Sequence, residues 1–417
     1  MERRLGCYAV AVLSVMFLAG PAAMGKDWAG PSGLEASWFF GSNWTPPGVP
    51  GTSDYAYISN GGTAVVGTGP ASAYELRVGN AVGAGGGLSL VGTTGGQLSI
   101  GSGLAYIGYS GTGTVTHQGG PLNVSGGGSG GYGNLYLGYN GTGAGTYYFN
   151  KGAINVDTLY VGYQGQGDFY HNGGTNICRT ELIMAYCPSS RGHYVLDQVD
   201  YAVTSNLIGG FAVKCAYVGY EGEAFFEAYR GTFTCRGDLV LGKQPLGTGV
   251  YEIRGGTLDV IGGLYEGTYY GKLKVGEGGT GTFRIIGDDA TITVDGYTQN
   301  NRSRLEAFIN DGGVSAIEVD GDAWFAPGST LFVGFKPGTA PHPGTWQILD
   351  VVGAGHTLSG SLAFADGVDT DPSDGKYWTM GFDTGSGAVM VNYIPEPATL
   401  GLLAAGVAGL IARRRRP

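Results

Sequence analysis

The stretch "LYLGYNGTGAGTYYFNKG", residues 135–152, decides how the chain is read, because it returns along the sequence. Copies are "LAYIGYSGTGTVTHQGG" from Leu104, "LYVGYQGQGDFYHNGG" from Leu159 and "AYVGYEGEAFFEAYRG" from Ala216, with weaker ones from Glu75, Glu181, Asp238 and Lys272. The glycine closing the first apolar run falls at 79, 108, 138, 162, 219, 242 and 276, Ala185 replaces it in one copy, and the shortest spacings are 23 and 24 residues. Self-similarity at such a period marks an architecture of stacked units.

Each copy holds three strand-like pieces: the "LYVG" run, a second such as Thr146 to Asn150, and a third such as "AINV" ending at Val156. Period-two alternation turns Leu135 and Leu137, Leu159 and Val161, Leu239 and Leu241 inward. Three short strands with glycine corners form one coil of a parallel β-solenoid, whose coils stack at about 4.8 Å. The expected fold is therefore all-β: a right-handed parallel β-solenoid of about eight coils of roughly 23 residues, near 40 Å long, with β-rich caps. The expected divisions are a signal peptide at 1–25, an N-terminal cap at 26–70 around Trp38 and Trp44, repeats at 71–298, a C-terminal β cap or small β domain at 299–394, and a tail at 395–417.

Composition agrees with strands punctuated by glycine: 83 of 417 residues are Gly and the 27 Tyr outnumber the 23 Lys plus Arg. Arg3 and Arg4 precede an apolar run and a small-residue site near Ala23 and Gly25, the layout of a cleaved secretory signal. Between the basic ends, residues 26–394 carry 17 basic against 31 acidic residues, a net of −14, which argues against a nucleic-acid partner.

Stacking also sets the reading of single residues. Tyr106, Tyr136, Tyr160 and Tyr217 recur at one step of the repeat, and Tyr109, Tyr139, Tyr163, Tyr186 and Tyr220 at another, so both sets form tyrosine ladders. The first four are the candidate glycan-stacking face; the alternative is that the rings stiffen the stack. His117 and His171 align with Phe149, Ile253 and Ile285, which makes them half-buried core residues rather than metal or acid-base groups. Cys178 and Cys235 align with Val124, Val156, Val260 and Val294, an inward step, and lie two coils apart, beyond disulfide reach; a bridge involving Cys187 or Cys215 stays open. Asp157, Asp168, Asp259, Asp288 and Asp289 scatter over different steps, so no convergent carboxylate pair is expected. With no phosphate loop, G-x-S-x-G or H-E-x-x-H string, the expectation is a protein without catalysis, metal or cofactor; the alternative is a carbohydrate-binding or carbohydrate-active rod.

The last residues carry Pro395-Glu396-Pro397, a 15-residue apolar run from Ala398 to Ala412, and Arg413, Arg414, Arg415 and Arg416 as a basic stop. As a helix the run spans about 22 Å against roughly 30 Å of bilayer core, which suits a temporary transmembrane sorting helix better than a lasting anchor. This tail resembles the PEP-CTERM sorting signal. The resemblance implies an exported protein, an exosortase-type membrane protease as processing partner, transient inner-membrane anchoring and then a cell-surface or extracellular location. The coils resemble those of autotransporter-associated β-solenoid surface proteins. That likeness implies fold and location rather than activity. The association of family members with exopolysaccharide production implies a structural or adhesive role at the cell surface or in a biofilm matrix, with exopolysaccharide or other surface glycans as partners.

Overall fold

The structure is a computed structural model that describes residues 24–92, 96–126, 131–198, 205–207, 214–262, 264–265, 268–269, 271–374 and 376–395. The described residues are all-β, without an α-helix, and almost every strand joins one long mixed sheet. Short β-branched and aromatic runs become strands, and each strand's partner is the equivalent run of the next copy. Tyr106 faces Tyr136 and Tyr136 faces Tyr160, so pairing joins like to like across 30 and then 24 residues of chain.

Three parallel ladders result. The first runs through Leu104–Ile107, Asn134–Leu137, the end of Ala144–Val161, the end of Thr175–Met184, Lys214–Val218, Asp238–Leu241 and Lys272–Val275. The second takes Thr112–Val124, the start of Ala144–Val161, Gln166–His171, Arg191–Asp197, Glu223–Arg230, Thr248–Ile253 and Thr280–Ile286. The third includes Ser205–Leu207, Thr232–Cys235, Gly256–Val260 and Ala290–Val294. The 18-residue strand Ala144–Val161 bends through all three, because Gly152, at φ +110°, turns a corner without breaking it.

The corner glycines face two constraints at once. Gly162 has φ +80°, and a Cβ there would sit 2.0 Å from the carbonyl oxygen of Arg191 on the next layer. All the repeat-marking glycines share the left-handed conformation, and Ala185, at φ 53°, is the only non-glycine residue in it among the described residues.

The ladders extend past the expected divisions. Gly296–Gln299, Arg304–Ile309, Ile317–Val319 and Ala323–Phe335 continue all three in parallel, so stacking does not stop at residue 298. The phrase disappears there while the alternation that pairing needs persists. Antiparallel closure comes later, where Ala388–Ile394 pairs with both Gly344–Val351 and Tyr377–Asp383. At the other end, Tyr55–Ile58 and Thr63–Val66 already pair in parallel with the following strands, although they lie in the stretch expected to cap. Trp38 and Trp44 are fully buried there, as expected, and Trp28 joins them edge-on, 4.9 Å from Trp44.

The core lies between the ladders. Leu135, Leu137, Leu159, Val161, Leu239 and Leu241 are fully buried. An aromatic column, Tyr147, Phe169, Tyr194, Phe226, Tyr251 and Phe283, follows one inward step with ring centroids 4.6–5.6 Å apart. Cys178 faces Val156 and Cys235 faces Val260, both buried. Cys178 and Cys187 keep their thiols, but Cys235 is disulfide-bonded, which corrects the reading of it as a plain apolar filler. The expected signal peptide and sorting helix fall outside the described residues, apart from Met24, Gly25 and Pro395. Among the described residues no helix is long and apolar enough to cross a membrane.

Candidate functional site

Three places gather chemistry-bearing side chains. The first is the outside of the first ladder. Tyr106, Tyr136 and Tyr160 stack there with centroids 5.2 and 4.6 Å apart, but Ile183 takes the next step and separates Tyr217 from them. The unbroken column is its neighbour: Tyr109, Tyr139, Tyr163, Tyr186 and Tyr220, at 5.1, 5.1, 4.9 and 5.1 Å. The two columns meet edge to face, as Tyr136 does with Tyr139 at 83° and Tyr160 with Tyr163 at 89°. Tyr106 and Tyr217 are consequently only 6% exposed. A sugar stacks on an open ring face, and here neighbouring rings cover those faces and leave mainly edges. Arg77 lies over Tyr109, 4.1 Å from its centroid, and pairs with Glu75 at 2.6 Å. Burial pushes the phenols of Tyr136 and Tyr139 above their ordinary range, so both stay protonated at neutral pH.

The second place is an open groove of about 350 Å³ on the outside of the second ladder, lined by Asp168, Arg191, His193, Glu223, Phe225 and Val250 among others. Asp168, His193 and Phe225 occupy one step of three consecutive strands, while Glu227 stands two residues on from Phe225. His193 Nδ1 lies 3.7 Å from Asp168 Oδ1, and its Nε2 lies 2.8 Å from Glu227 Oε2. The Asp168 and Glu227 carboxylates together hold this imidazole above its ordinary pKa against partial burial. Tyr229 Oη donates to Glu227 at 2.9 Å. The next strand places Glu252 beside Glu227, and Glu252, 2% exposed, accepts from Arg254 Nε at 2.6 Å and from Arg284 at 2.8 Å. Arg284 also reaches Glu306, so it bridges the carboxylates of the layers on either side of it. This strip can hold and exchange a proton at His193, while its carboxylates are engaged by bases of the same chain.

The third place is interior. His117 and His171 are fully rather than half buried. His117 Nε2 donates to the Gly120 carbonyl at 2.8 Å, which leaves Nδ1 to accept the Tyr147 hydroxyl at 2.8 Å. His171 has its Nδ1 2.8 Å from the Tyr194 hydroxyl, and its Nε2 lies 3.1 Å from the Gly174 carbonyl and 2.8 Å from Gln198 Nε2. Burial lowers both imidazoles to about 4, so they are neutral spacers that satisfy core tyrosines. Tyr251 comes next in the alternating series, Ala228 stands where its histidine would be, and its buried hydroxyl finds no partner.

Sequence reading missed His193, because "RGHYVLD" from Arg191 lacks the glycine-aromatic phrase. Aligning it under "QGDFYH" by its second-position glycine would have placed His193 on Asp168. Among the described residues no cluster of His, Cys, Asp and Glu is arranged to hold a metal. Of the sorting residues, Pro395 follows the last strand; Glu396, Pro397 and Arg413 to Arg416 lie outside the described residues.

No curated protein and no solved structure matches the chain. Residues 394–416, beginning at the end of the last strand, match the model of the PEP-CTERM protein-sorting motif. The chain therefore ends in a PEP-CTERM signal, which marks it as an exported surface protein directed to an exosortase in the membrane.

Proposed function

We propose that the triple ladder is a right-handed parallel β-solenoid and that it serves as a non-catalytic structural or adhesive rod at the cell surface or in the extracellular matrix, biofilm included. Handedness follows the general preference of parallel crossovers. The observation that carries the reading is the in-register stacking of like residues through all three ladders, from Tyr55–Ile58 to Ala323–Phe335. Such a stack uses most of its side chains on its own neighbours. Non-catalytic service is supported by the state of the carboxylates: Glu227, Glu252 and Glu306 are each tied to bases of the same chain. The tail would hold the product briefly in the inner membrane while the protease acts near Pro395.

A carbohydrate-binding rod is the second reading, favoured by the groove that sets Phe225 and His193 beside Asp168. A reducing-sugar assay and a glycan pull-down on the purified exported protein separate the two. The structural reading expects neither turnover nor saturable retention; turnover overturns it, and saturable retention without turnover replaces it with the binding reading.

A further inference from the structure

The corner column and the core column stack alike but differ in composition. In the core, tyrosine alternates with phenylalanine, Tyr147, Phe169, Tyr194, Phe226, Tyr251 and Phe283, so no two phenols are neighbours. At the corner, five tyrosines follow one another without a break. All five are half-buried, so an oxidant in solution reaches them. Tyr139 and Tyr163 are inclined by only 5° with centroids 5.1 Å apart. Adjacent phenols of the column therefore stand about one strand spacing apart with their ring planes nearly parallel. Coupling requires both side chains to rotate out of the stack at this half-exposed corner, so that ring edges rather than faces meet.

We propose that this column is an oxidative cross-linking site, at which successive strands are joined by aryl carbon–carbon bonds between adjacent tyrosines. The co-reactant is a peroxide, used through a haem peroxidase that removes one electron at a time. Each of two phenols gives up an electron and its hydroxyl proton. The two radicals couple between ortho carbons, and the two ortho hydrogens then move to the oxygens and restore both phenols. Two electrons and two protons leave in all and convert one hydrogen peroxide into two waters. The product fastens one layer to the next and removes freedom from the unfolded chain, as other covalent cross-links do. This deepens the structural reading through its extracellular setting, but it is independent of whether the rod binds sugars.

The test exposes the full exported chain, at high dilution, to hydrogen peroxide and a haem peroxidase. Peptide mass spectrometry then maps links by the loss of two hydrogens per bond. The expected result is links within one molecule at Tyr109–Tyr139, Tyr139–Tyr163, Tyr163–Tyr186 and Tyr186–Tyr220. Tyr163→Phe keeps the ring in the stack and should remove the two links it shares while sparing the outer two. Tyr148 and Tyr170, an isolated stacked pair 5.1 Å apart on another face, are the internal reference. No link within the corner column, whether or not Tyr148 and Tyr170 join, overturns the proposal. So do links formed only between molecules. Absence of links together with absence of sugar turnover would sink this inference and leave the structural rod standing.

Discussion

On the inner face of the second ladder, rings from Tyr147 to Phe283 stack in a buried column, and His117 and His171 stay neutral beside it. On the outer face, the ladder carries Asp168, His193, Glu227, Glu252, Arg284 and Glu306, where His193 and Arg284 each engage carboxylates of the layers on either side. One pairing geometry serves both faces because the ladder dictates only that equivalent residues meet. Burial then decides what the meeting must satisfy: inside, shape and nearly all hydrogen bonds; outside, mainly charge balance.

The largest expected contrast is in packing. Phe169→Ala empties a place between Tyr147 and Tyr194 and should cost about 3–5 kcal/mol, whereas Phe225→Ala on the outer face should cost about 1 kcal/mol. Denaturant melts of the two variants measure this, and equal losses would erase the distinction between the faces. The next contrast has opposite signs with pH. His117 and His171 titrate near 4 when folded and near 6.5 when unfolded, so the unfolded chain takes up protons first as pH falls. Their stability is intact above about 6.5 and lost down to about 4, roughly 3 kcal/mol for each. His193 is raised instead, so its contribution is present below the ordinary histidine value and fades as pH climbs through the raised one. Melts against pH should show His117→Phe flattening the acid limb and His193→Gln flattening the neutral-to-alkaline limb.

The corner conformation offers a test with smaller numbers. Gly162→Ala meets both a left-handed backbone and the Arg191 carbonyl and should cost about 2 kcal/mol or more, while Ala185→Gly should gain up to about 1 kcal/mol. The smallest contrast lies within the core column. Tyr251→Phe removes an unpartnered hydroxyl and should stabilise by about 1 kcal/mol at most, whereas Tyr194→Phe deprives the buried His171 Nδ1 of its partner and should destabilise. Both are read by thermal melting, and the same sign for the two would show that hydrogen-bond satisfaction does not govern the interior.

Much of this was readable in the chain because a stacked fold turns alignment into contact. Matching copies of the phrase placed His117 against Phe149 and Cys178 against Val156, as the registers have them. What escaped were the places where the phrase decays but the pairing continues. Residues beyond 298 keep alternating apolar side chains without the glycine-tyrosine motif, and Arg191–Asp197 keeps Tyr194 opposite Phe169 but has Val195 and Leu196 in place of Tyr170 and His171, which hid His193 beside Asp168. The break at Ile183 in the tyrosine set was visible in "ELIMAYC", yet its consequence needed the second column. Glycan stacking at Tyr106, Tyr136, Tyr160 and Tyr217 looked open as a list of residues, because a sequence shows which rings align and not which ring faces a neighbour covers.

The central claim is that the rod is the working protein and the PEP-CTERM tail is read during export and then removed. Intact-mass and C-terminal peptide mass spectrometry of the protein recovered from its native host tests this most directly. The account expects most molecules to end near Pro395, Glu396 and Pro397 without Arg413 to Arg416. A population that retains Arg416 would contradict it and make the tail a lasting part of the molecule.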